Sequence, residues 1–190
     1  MAPFPTSRAG AQPDPRPAAT LKGMEVTHRG HVEALLSEAA AEHASLLARL
    51  PPELRESLPV DAQGVTHAID HVATAAGLSE SDRRALIRPH AINPAVLHAR
   101  VFGPTSLTRE TVIASFVEGA RVRADALLAL ADAVGGETLG REVREVLVAD
   151  PPPSGAGAGD DPSEAVSALR ATYAAHERAV VMIAERLDGS

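Results

Sequence analysis

The segment SEAVSALRATYAAHERAVVMIAERLDGS, residues 163–190, has the apolar spacing that decides the fold class. Its inward positions recur every three or four residues over three heptads, which is the period of an amphipathic α-helix. These positions are Val166, Leu169, Tyr173, His176, Val180, Ile183 and Leu187. A helix of this kind must bury its apolar face. We therefore expect it to fold back on a bundle or to pair with another chain.

Two other long stretches have the same period. In residues 24–50 the apolar face consists of Val32, Leu35, Leu36, Ala39, His43, Leu46, Leu47 and Leu50. In residues 109–134 it consists of Val112, Ile113, Phe116, Val117, Ala120, Ala124, Leu127, Ala131 and Val134. The chain also contains 37 alanines, the residue with the highest helix propensity. We predict an all-α fold, a helical bundle of three long amphipathic helices plus several short helices, with no β-sheet.

Capping residues, glycines and prolines mark the boundaries of the shorter helices. Asp61 is a predicted N-cap for a helix that Gly77 ends. Ser79 and Asp82 form a predicted capping box, and Pro89 is expected to end the helix that they start.

The second half of the chain carries similar signals. A short helix is expected over 94–102, and Thr108 is the predicted N-cap of the second long helix. Gly135 and Gly136 should end that helix, and another short helix should follow at 137–148.

Composition divides the chain into four parts. Residues 1–22 are rich in proline and poor in large apolar side chains, which predicts a disordered tail. Residues 23–150 should form the bundle domain, and the Pro/Gly/Ala-rich segment 151–162 a flexible linker. Residues 163–190 should form the C-terminal helix, which packs on the bundle or on a partner.

Charge and composition narrow the location and chemistry of the protein. The net charge is −7, and there is no cysteine for a disulfide, a thiolate nucleophile or cysteine-ligated zinc. The sequence contains no run of 18 apolar residues and no secretory signal at its start. We expect a cytoplasmic protein without a membrane span.

Four of the eight histidines form a candidate metal site. His43 and His176 occupy positions that their helical faces reserve for apolar side chains. His67 and His71 are four residues apart and share one face of a helix. If these helices meet, the imidazoles could hold a divalent metal or a haem iron, although nothing in the sequence requires either. The alternative is that each is a core or surface histidine satisfied by ordinary hydrogen bonds.

Arginines form a second candidate site. The window 83–123 has a charge of +5 and the rest of the chain −12. A basic face is predicted from Arg83, Arg84, Arg88, Arg121 and Arg123. This face would meet an acidic surface, on this chain or on a partner.

The same window offers DNA binding as an alternative. The stretch GARVRADALLALADAVG, residues 119–135, resembles the final helix of lambda-repressor-like DNA-binding domains over less than a quarter of the chain. His98 and the longer turn at Pro104 depart from the pattern of that family. The acidic remainder of the chain also opposes the approach of a polyanion.

Motifs for catalysis are missing from the sequence, since there is no Gly-x-Ser-x-Gly, Walker A or Gly-x-Gly-x-x-Gly motif. The sequence therefore favours a non-catalytic regulatory or interaction protein that acts through helical surfaces, as a homo-oligomer or with a helical protein partner. A histidine-based metal or haem site in the bundle core is the first alternative. A DNA-binding regulator using the Arg-rich helices of 83–123 is the second.

Overall fold

A computed structural model describes residues 27–49, 63–91, 108–153 and 162–190, with the backbone alone at 88–91. Within these ranges the chain is all-helical and has no strand, which confirms the predicted fold class. The helices are α1 (His28–Ala48), α2 (Gln63–Ala75), α3 (Glu80–Ala91), α4 (Arg109–Ala149) and α5 (Pro162–Asp188). None of them is long and apolar enough to cross a bilayer. The predicted tail 1–22, the short helix 94–102 and most of the linker lie outside the described residues.

Helix α5 is the central element of the bundle, because it packs against α1, α2 and α4. Its predicted apolar face is buried from Val166 to Ile183, and Leu187 is partly buried. Several of its small side chains are fully buried as well, namely Ala175, Ala179 and Ala184. Small residues at a contact let helix backbones approach closely, and these buried alanines therefore allow α5 to pack tightly on its neighbours.

Side-chain caps begin three of the helices. Thr27 accepts a hydrogen bond from the amide of Gly30 at 3.0 Å and starts α1, a few residues later than predicted. Thr108 caps α4 as predicted, with its hydroxyl 3.2 Å from the amide of Thr111. Ser79 caps α3 as predicted, since the amide of Asp82 donates to its hydroxyl. The predicted caps Ser79 and Thr108 are therefore confirmed, whereas the predicted N-cap Asp61 lies outside the described residues.

Gly77 ends α2 as predicted, but Pro89 does not end α3. Gly77 has a φ of +73°, which is costly for residues with a Cβ. Helix α3 continues past Pro89 to Ala91. A proline removes a single i→i−4 hydrogen bond. Here the loss falls near the end of α3, and only two helical residues follow it.

The long helix α4 bends sharply at Gly136, where φ is +63° and ψ is −162°. After this point Glu142 faces Arg186 and Asp150 faces Arg178, so residues 137–149 run antiparallel to α5. The predicted break between 109–134 and 137–148 is thereby confirmed. The left-handed φ explains why a glycine occupies this position.

The predicted apolar face of α1 is buried over part of its length. Val32 and Ala39 are buried, whereas Leu46 is 59% exposed. At 1.5 Å per residue α2 is about 20 Å long and α1 about 31 Å. Because the start of α1 contacts the end of α2 through His28 and His71, the last turns of α1 extend beyond α2.

Truncating Leu169 to alanine should lower the free energy of unfolding by about 2–5 kcal/mol, because this side chain is fully buried between α4 and α5. Urea-induced unfolding followed by circular dichroism measures the change. The matched control is Val148→Ala, because this side chain is 68% exposed, and we expect it to shift the free energy of unfolding by less than about 0.5 kcal/mol. Equal effects of the two substitutions would contradict this assignment of the core.

Candidate functional site

Arg123 is a buried cation in the interior of the bundle. Its side chain is 6% exposed and points inward from α4. It follows Ala120 by three residues and precedes Leu127 by four, and both of these are fully buried. The prediction that Arg123 belongs to an exposed basic face is therefore wrong, because helical spacing places it on the core-facing side.

The partner of Arg123 is the phenol of Tyr173 on α5. Nη1 of Arg123 donates to the Tyr173 hydroxyl oxygen at 2.8 Å. The hydroxyl in turn donates to the backbone carbonyl of Phe116 at 3.4 Å. The guanidinium carbon also lies 5.3 Å from the centroid of the tyrosine ring, within range of a cation–π interaction. These contacts fix one edge of the guanidinium.

The other edge of the guanidinium has no acceptor within the described ranges. Nε is buried and makes no hydrogen bond. None of the ion pairs in these ranges includes Arg123. The sequence joining α3 to α4, residues 92–107, contains no acidic side chain. A buried charge normally has a counter-charge, since removing an ion from water costs several kcal/mol.

The surroundings of this guanidinium combine small and polar residues. Gly119 allows the guanidinium to pack closely on α4, because a Cβ there would lie only 3.1 Å from Nη1. His176, which the sequence selected as a candidate ligand, is 1% exposed and its ring centroid is 5.5 Å from that of Tyr173. The structure therefore joins two separately predicted residues, Arg123 and His176, through Tyr173. We refer to these three residues as the interior polar cluster.

The other three predicted metal ligands lie in different environments. His43 is partly buried, and its Nε2 has no hydrogen-bond partner in the part of the chain that is described. His67 is exposed. His71 is partly buried beside the imidazoles of α1. Across the described ranges, no three histidine or acidic side chains form a group that could hold a metal ion. Metal or haem binding by the four predicted residues stays a prediction.

The imidazoles around His71 belong to His28 and His31, which are not among the four predicted metal ligands. Nδ1 of His28 is 3.4 Å from Nε2 of His71, and the ring centroid of His31 is 4.2 Å from that of His71. Burial, followed by the influence of His31 and His28, lowers the pKa of His71 below its usual 6.5. The i, i+3 spacing of His28 and His31 was a signal for one shared helix face. We refer to these three residues as the imidazole cluster.

Three other arginines of the predicted basic face pair with nearby carboxylates. Arg83 lies 3.4 Å from Asp70, and Arg121 lies 3.7 Å from Glu118. Arg84 pairs with Glu80 of the same helix. The side chain of Arg88 and all of residues 92–107, with His98 and Pro104, lie outside the described residues. Interaction of this face with an acidic surface or with DNA stays a prediction.

Comparison with known protein families, curated proteins and solved structures found no match for this chain. Of the two clusters, the interior polar cluster is the better candidate for a binding site, because it contains a buried charge that the described residues leave uncompensated.

Replacing Arg123 by methionine should raise the free energy of unfolding by about 1–2 kcal/mol. The substitution removes a desolvated charge and one charged hydrogen bond, and the first effect should be larger. Tyr173 keeps its bond to the carbonyl of Phe116. Urea-induced unfolding in buffers without oxyanions measures the change.

The matched control is Arg121→Met, two residues away on the exposed side of α4. We expect it to change the free energy of unfolding by less than about 0.5 kcal/mol. A large loss of stability in Arg123→Met would show that a carboxylate of this chain already neutralises the guanidinium.

Proposed function

We propose that this protein is a non-catalytic, regulatory binding protein that holds the oxyanion of a carboxylate or phosphate ligand at Arg123. The observation that carries the proposal is the buried guanidinium with a free Nε edge. Keeping such a charge in the core disfavours folding, so a role in binding accounts for its presence better than a role in stability.

The geometry of the guanidinium favours an oxyanion over other ligands. Nη1 is directed to Tyr173, which leaves the edge formed by Nε and Nη2. Two parallel N–H groups on this edge match two oxygens of a carboxylate or a phosphate. In a buried setting such charge-assisted hydrogen bonds are stronger than in water.

A binding role also fits the groups around Arg123. The Tyr173 hydroxyl donates to a backbone carbonyl, so it positions the guanidinium and is itself held in place. The absence of nucleophile and nucleotide-binding motifs from the sequence supports a non-catalytic role. Ligand binding between α4 and α5 would stabilise the pair of helices, and a rise in Tm would measure this stabilisation.

The oxyanion site is tested by thermal unfolding of the full chain with inorganic phosphate or with succinate. Ionic strength is held constant with sodium chloride. We expect one of these anions to raise the Tm of the wild type, since a ligand at one hundred times its Kd stabilises the folded state by about 2.7 kcal/mol. The anion that acts identifies phosphate or carboxylate as the ligand group.

Three variants separate specific binding from general salt effects. Arg123→Met should lose the ligand-dependent shift, and Arg123→Lys should bind at least about tenfold more weakly because it lacks the bidentate edge. Arg121→Met should behave as the wild type. Excluded anions also stabilise proteins in general, so an equal shift in the wild type and in Arg123→Met would refute the site.

The interaction part of the proposal concerns α1. We propose that the protein is cytoplasmic and forms a homo-oligomer through the exposed part of this helix. Leu46 is 59% exposed, and Leu35 and Leu47 are partly exposed on a helix that buries few of its residues. Burying these side chains against a second copy would remove apolar area from water.

Substituting Leu46 by glutamate should reduce the oligomer to a monomer, because it places a charge in the proposed contact. Light scattering after size-exclusion chromatography gives the mass. Ser45→Glu, at the neighbouring exposed position, is the control and should keep the wild-type mass. A wild type that is already monomeric at all concentrations would contradict self-association.

A further inference from the structure

The imidazole cluster lies where three helices meet. His28 and His31 are in the first two turns of α1, and His71 is near the end of α2. The ring centroid of His71 is 5.5 Å from that of His28 and 4.2 Å from that of His31. At these distances a proton added to one ring acts directly on the next.

Helix α5 holds the start of α1 from the other side. The carboxylate of Asp188 accepts hydrogen bonds from the backbone amides of His28 at 2.6 Å and Arg29 at 2.9 Å. Arg29 also pairs with Glu185 at 2.5 Å and with Glu33 at 2.8 Å. The hydrogen bonds from the backbone amides of Arg29 and His28 lower the pKa of the Asp188 carboxyl group. The start of α1 is thus attached to α5 by bonds that do not involve imidazole rings.

The charged groups on α2 and α3 balance little of the positive charge that protonated imidazoles would carry. Asp70 precedes His71 and favours its protonation, but Asp70 also pairs with Arg83 of α3 at 3.4 Å. His67, one turn earlier on α2, is exposed. Asp188 offers one nearby negative charge, whereas the cluster contains three imidazoles.

We propose that His28, His31 and His71 form an acid-sensitive contact that holds the start of α1 on α2 near neutral pH and releases it when the cluster is protonated. The neutral cluster requires one shared hydrogen between His28 and His71. Protonation of both rings would place a hydrogen on each of the two facing nitrogens and two positive charges at the contact.

The direction of the pH effect follows from His71. Burial and the neighbouring imidazoles lower its pKa in the folded protein below the ordinary 6.5. The unfolded or detached state therefore binds more protons, and the contact is weakened as pH falls below about 6.5. The weakening is complete once the pH is below the lowered pKa of the folded protein.

Hydrogen exchange of the full-length protein at pH 7.5 and pH 5.5, in EDTA, tests the proposal. Protection factors corrected for intrinsic exchange are compared between α1 and the amides of α4. We expect protection in the first half of α1 to fall at least about threefold more than in α4, because like charges added at the contact favour its local opening. The comparison with α4 separates local release from global acid unfolding.

Substitutions by glutamine distinguish this contact from other histidines. His71→Gln and His31→Gln keep a polar side chain but cannot be protonated, so each should reduce the additional acid-induced loss of protection in α1. His67→Gln, on the exposed side of the same helix, should retain the full loss. Unchanged α1 protection at pH 5.5 in the wild type, or a full loss in His71→Gln, would overturn the proposal.

Discussion

The apolar face of α5 has to be removed from water, and the positions of the other helices depend on this requirement. Leu169, Val180 and Ile183 on this face are fully buried, and each large side chain buried in this way contributes about 1.5–3 kcal/mol. Helices α1, α2 and α4 all pack on α5. The bend at Gly136 allows α4 to follow this helix in one direction and then return along it. The interior polar cluster and the imidazole cluster both include contacts that this packing creates.

A folded core that retains Arg123 gives up stability that an apolar side chain would provide. The guanidinium has one neutral partner, the Tyr173 hydroxyl, and its Nε has none among the described residues. An oxyanion ligand would supply the missing charge and hydrogen-bond acceptors. Stability and ligand binding would then be linked, because the bound state is the one in which the buried charge is compensated. The imidazole cluster would add a separate response to pH, in the region where the start of α1 meets the end of α5.

Particular elements show what the sequence signals could predict. Thr108, Gly77 and the Gly135-Gly136 pair marked helix boundaries correctly, because caps and left-handed glycines act through local backbone geometry. Pro89 failed as a stop signal, since proline near a helix end costs little. The charge of Arg123 predicts a position on the surface, but its spacing from Ala120 and Leu127 places it on the buried face of α4.

The sequence by itself determined the helical class, the buried face of α5 and the positions of the main breaks, since these depend on residue spacing and on local backbone preferences. Only the tertiary structure decided which polar side chains meet. Arg123 and Tyr173 are 50 residues apart in the chain, and His28 and His71 are 43 residues apart. Contacts over such separations depend on which helix faces pack together and at what height along their axes. That pairing is set by the combined burial of all the helices, and no single segment encodes it.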